Sequence, residues 1–88
     1  MKDTYKTTVI FRRFRGEIIA LFPYEKEKDR LCLSYMHIGQ HGSANYPYII
    51  SDSKPVKETE YKPLFDELQS IGYNLTVKQK ASYKKMYL

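Results

Sequence analysis

Eighty-eight residues, 42% hydrophobic and 15% aromatic with nine tyrosines, describe one small folding unit and exclude a disordered chain. The lone cysteine, Cys32, excludes an internal disulfide and suits a reducing compartment. Net charge is +5, spread unevenly: residues 1–30 carry eight positive and five negative groups, 31–50 none, 51–73 three and five, and 74–88 four positive alone.

In chain order, Thr4–Phe14 reads as a strand, with the run Thr7-Thr8-Val9-Ile10-Phe11 placing Val9 and Phe11 on one face and Ile10 on the other. Arg15-Gly16-Glu17 reads as a turn, and Ile18–Phe22 as a second strand stopped by Pro23. So short a connection permits only an antiparallel hairpin. Apolar residues on both faces imply a sheet covered on more than one side. Tyr24–Arg30 is charged without apolar period and reads as an exposed loop.

A third strand is expected over Leu31–Ile38, with Leu31, Leu33 and Tyr35 opposite Cys32, Ser34 and Met36. Gly39–Asn45 reads as a loop, Tyr46–Ile50 as a short edge strand weakened by Pro47, and Ser51–Lys57 as a polar connection. Polar residues and glycines interrupt the charge-free window Leu31–Ile50, which rejects a transmembrane helix.

Tyr61, Leu64, Phe65, Leu68 and Ile71 form a single stripe at helical spacing, predicting an amphipathic helix over Thr59–Ile71. Thr59 is the expected N-cap, Pro63 falls near the first turn, and Gly72 suits a left-handed C-cap. Tyr73, Leu75 and Val77 then alternate as a final strand. The fold class expected is α+β: an antiparallel sheet of three to five strands on a single helix, in the order β-β-β-(β)-α-β. The domain spans residues 1–78, and 79–88 form a basic C-terminal tail.

Thr7–Glu25 (TTVIFRRFRGEIIALFPYE), Leu33–Gly42 (LSYMHIGQHG) and Glu60–Val77 (EYKPLFDELQSIGYNLTV) together resemble a group of short bacterial proteins with no assigned activity, of the kind carried by gut-type bacteria and their mobile elements. The resemblance covers the chain up to Val77. It implies a bacterial, cytoplasmic setting and transfers no site residue. The absence of a basic-then-apolar stretch in Met1–Lys6 agrees with a cytoplasmic location.

Imidazole and thiolate are zinc ligands, so Cys32, His37 and His41 are the candidate metal residues, but a fourth ligand is missing and the set is incomplete. Cys32 between Leu31 and Leu33 suits a buried thiol better than a nucleophile. No phosphate-cradle, dinucleotide or nucleophile-elbow pattern occurs, so neither cofactor nor enzymatic activity is expected.

Two binding readings follow. In the first, the charge-poor, aromatic segment supplies a protein–protein interface through Tyr35, His37, His41, Tyr46 and Tyr48, for a foreign partner or a homodimer formed by sheet extension. In the alternative, basic groups interleaved with rings bind nucleic acid. Its candidates are Arg12, Arg13, Phe14, Arg15, Lys80, Tyr83, Lys84 and Lys85. The first is favoured, as a small non-enzymatic binding or regulatory protein, because no nucleic-acid motif accompanies the basic clusters.

Overall fold

The computed structural model describes residues 6–26, 31–36 and 40–81. Within these, eight elements follow in order: β1 (Thr7–Phe14), β2 (Glu17–Lys26), β3 (Cys32–Met36), β4 (Gln40–Ala44), α1 (Tyr46–Ser51), β5 (Ser53–Pro55), α2 (Glu58–Ser70) and β6 (Leu75–Val77). The α+β class holds, with six strands and two helices where fewer strands and one helix were expected.

β1 to β4 form an antiparallel meander, and the sheet order is β4-β3-β2-β1-β5. β1 shares its other edge between two short strands. β5 pairs antiparallel with Arg12–Phe14, and β6 pairs parallel with Thr7–Val9. The β1–β2 turn places Arg15 at φ 52° and Gly16 at φ 83°, the two positive values a tight, primed hairpin turn requires.

Alternation along the strands divides the core in two. One face buries Val9, Phe11, Ala20, Phe22 and Tyr35 beneath Leu64 and Leu68 of α2. The other buries Ile10, Ile19, Leu21 and Cys32 against Tyr46 and Ile49 of α1. The expected double-sided covering and the split of Val9 and Phe11 from Ile10 are both present. Tyr61 stacks on Phe11 with ring centroids 4.4 Å apart, fixing the start of α2 on the sheet.

Several local expectations are corrected. Pro23 does not stop β2. It is buried at a register shift between Phe22 and Lys26, where the ladder is interrupted and a missing N–H costs little. Tyr24 consequently belongs to β2 rather than to an exposed loop, and residues 27–30 lie outside the described residues. Gln40–Ala44 is strand rather than loop, because β3 supplies a complete antiparallel partner.

Tyr46–Ser51 is a helix, not an edge strand. Asn45 caps it by accepting from the Tyr48 N–H at 3.1 Å, and Pro47 occupies the first turn, where no donor is needed. The connection expected over Ser51–Lys57 contains β5.

α2 begins one residue earlier than expected. Lys57 is its N-cap residue in place of Thr59, with the Lys57 N–H bonded to Glu60 Oε1 at 2.9 Å. Pro63 therefore lies beyond the first turn, inside the helix. Gly72 follows the helix at φ 113°, as a left-handed terminator should. Ile71, counted in the apolar stripe, is 52% exposed. The tail beyond Ala81 lies outside the described residues, and no helix among those described is long and apolar enough to cross a membrane.

Candidate functional site

β4 stands at one end of the strand order, and among the described residues no strand pairs with its outer edge. Its sequence, Gln40-His41-Gly42-Ser43-Ala44, contains no charge and no proline. A strand edge offers a row of backbone donors and acceptors to another chain, and charge or proline is the usual protection. The opposite side of the sheet has that protection, since β5 carries Lys54 and Pro55.

Beside β4 a cleft of about 460 Å³ opens on the α1 side of the sheet. Its lining includes Phe14, Ile19, Met36, Gly42, Tyr48 and Ile49. Gly42 has no side chain to fill this space, and neither its backbone nor its packing demands glycine. Among the described residues, a Cβ there would meet only Ser34 Oγ within 4 Å, at 3.8 Å, and its φ lies outside the left-handed region. Ser34, buried beneath it, donates to the Gly42 carbonyl at 3.1 Å and ties β4 to β3.

Arg15 forms the rim. Its guanidinium donates to the Tyr48 hydroxyl at 2.6 Å and lies 4.9 Å from the centroid of the Phe14 ring. The Phe14 and Tyr48 rings meet edge to face at 6.2 Å. Asp52 approaches Arg15 Nε at 3.9 Å, but both side chains are more than half exposed, so solvent screens this pair.

A second polar cluster holds β4 from the α2 side. Tyr35 donates to Glu67 of α2, and His41 packs edge-on against the Tyr35 ring at 4.7 Å. His41 Nε2 lies 2.9 Å from the Tyr73 hydroxyl, and Tyr73 stacks on Phe22. Burial, followed by the charge of Glu25, pushes the Tyr73 hydroxyl above the ordinary tyrosine range. The edge strand is thus anchored at both faces, and no described strand pairs with its outer side.

The expected site residues divide accordingly. Tyr48, 48% exposed, stands beside β4, and His41, also exposed, lies within it. Tyr35 and Tyr46 are corrected to core residues: they are 1% and 6% exposed, and the Tyr46 hydroxyl accepts from the Ala81 N–H. His37 lies outside the described residues.

The proposed metal triad does not assemble from its described members. Cys32 pairs with Ala44 and His41 with Tyr35, so alternation directs the thiol and the imidazole to opposite faces. No group of three His, Cys, Asp or Glu among the described residues could hold a metal ion.

The arginine cluster is dispersed. Arg12 is corrected from a phosphate contact to an internal clasp. Its Nε donates to Ser53 Oγ at 2.8 Å, and its Nη2 to the Ser53 and Ile50 carbonyls at 2.9 and 3.1 Å. Arg13 faces α2 and pairs with Glu60 at 3.0 Å. Arg15 and Phe14 join the cleft instead. Lys80 is exposed, while Tyr83, Lys84 and Lys85 lie outside the described residues.

Sequence reasoning passed over Gly42 and Ile19 in the site. Its available signal was the charge-free window itself, which spans β3, β4 and α1 without a break. Comparison with protein-family models, curated proteins and solved structures finds no match to the chain.

Proposed function

We propose that this chain is a small, non-enzymatic binding protein that engages a protein partner through the outer edge of β4 and the cleft beside it. The observation carrying this reading is the contrast between the two sides of the sheet. β5 bears Lys54 and Pro55, whereas β4 bears neither charge nor proline and adjoins an apolar cleft. Strand addition at such an edge draws affinity from main-chain hydrogen bonds and specificity from side-chain pockets. Nucleic-acid binding is the weaker reading, because Arg12 and Arg13 already satisfy acceptors within the fold.

Affinity capture from bacterial lysate tests the choice. The expected result is a protein partner retained after nuclease treatment and lost from a Ser43→Lys variant. Capture that disappears on nuclease treatment would instead favour nucleic acid.

A further inference from the structure

We infer that the partner presents an acidic peptide segment: an apolar side chain enters the cleft, and the carboxylates beside it lie across Arg15 into a second, basic hollow at the β1–β2 turn. This rests on the protein-partner reading above and adds the partner's chemistry. The second hollow, of about 450 Å³, is lined by Arg13, Arg15 and Lys54 together with Gly16 and residues 51–53. Arg15 lines the cleft as well, so the two hollows meet at its side chain.

Charge marks the second hollow for an anion. Register sets Lys54 of β5 directly opposite Arg13 of β1, and like charges in that relation repel. Two carboxylates answer three cations. Glu60 pairs with Arg13 at 3.0 Å, whereas Asp52 stands 3.9 Å from Arg15 Nε, beyond hydrogen-bond reach. Lys54 has no ion pair among the described residues. The Arg15 guanidinium carries five N–H donors, of which the Tyr48 hydroxyl takes one. Its side chain is 66% exposed, so the remaining donors can take a carboxylate.

A peptide suits the pair of hollows better than nucleic acid does. Arg15 already lies over the Phe14 ring, occupying a face on which a base would stack. Ile19, Met36 and Ile49 line the cleft, and their apolar surface accepts an aliphatic or aromatic side chain. An acidic residue next to that side chain then meets Arg15 and, further along, Lys54. Negative charge also favours encounter with a chain of net charge +5.

Selection of a random peptide library, displayed on phage, against the immobilised full chain tests this. The expected consensus joins a bulky apolar residue to Asp or Glu, and a synthetic peptide of that consensus should bind more weakly as salt is raised. Arg15→Gln and Lys54→Glu should each weaken it about tenfold, whereas Lys62→Glu on the exposed side of α2 should leave it unchanged. Asp52→Asn should tighten binding about threefold by removing the opposing carboxylate, a gain that loss of structure cannot produce.

An empty selection, a consensus without acidic residues, or a consensus peptide indifferent to Arg15→Gln and Lys54→Glu overturns the inference. So does an oligothymidylate that binds through the same residues more tightly than any selected peptide. A protein captured from lysate equally well by the wild-type chain and by Lys54→Glu would reject the acidic partner yet leave the interface reading standing.

Discussion

The Arg15 guanidinium reaches the Tyr48 hydroxyl at 2.6 Å from a backbone held at φ 52°, joining the β1–β2 turn to α1 across the mouth of the cleft. A left-handed conformation costs a residue with a Cβ about 1–2 kcal/mol, and primed turns favour asparagine at this position. An arginine retained there holds the rim of the cleft in place at the expense of the turn.

Replacing it should separate stability from binding. Arg15→Asn is expected to leave the melting temperature unchanged or slightly raised, while capture of the partner weakens. Thermal unfolding and quantitative capture on the same preparation would check both effects.

Arg12 serves three acceptors with one planar fork, so its loss should damage the fold rather than the surface. Arg12→Ala leaves the last turn of α1 and the start of β5 without these donors, at a cost of about 1–3 kcal/mol. Arg12→Lys should recover little of it, because a single ammonium does not reproduce the fork. Denaturant unfolding of both variants provides the comparison.

Glu60 links pH to the start of α2. The Lys57 N–H, and then the Arg13 guanidinium, hold its carboxyl below the ordinary range. A depressed folded pKa gives stability that is present above the unfolded value and lost as pH falls through the folded one. Glu60→Gln should therefore lower the melting temperature at neutral pH, with the difference closing as the solution is acidified past that folded pKa. A difference independent of pH would contradict this assignment.

Leu68 is fully buried beneath the sheet, and Leu68→Ala should cost about 2–5 kcal/mol through lost transfer energy and the cavity left behind. Ile71, in the same apparent stripe, is 52% exposed, so Ile71→Ala should change stability by less than about 1 kcal/mol. Chemical denaturation of the pair distinguishes a true core position from one that merely shares its spacing.

Much of the sheet and of α2 could be read directly from the residues. Val9, Ile10 and Phe11 alternate cleanly, and the spacing of Tyr61, Leu64, Phe65 and Leu68 directs four side chains to one core. β4 escaped because Gln40–Ala44 has no apolar alternation of its own, and β3 makes it a strand by pairing with it.

α1 was signalled by Asn45 followed by Pro47, a helix start that also reads as a strand breaker. Only a structure separates the two meanings. The arginines show another limit of adjacency: Arg12, Arg13 and Arg15 are close in sequence, yet they serve α1 and β5, α2 and the cleft respectively. The charge-free window was visible from the start, but its meaning depended on β4 lying at the end of the sheet.

Amide hydrogen exchange, compared between dilute chain and chain saturated with its partner, bears most directly on the proposed interface. Added protection centred on Gln40–Ala44, with little change along Ser53–Pro55 and Leu75–Lys80, is the expected result. Protection on that opposite side with β4 unchanged would contradict the assignment of β4 as the binding edge.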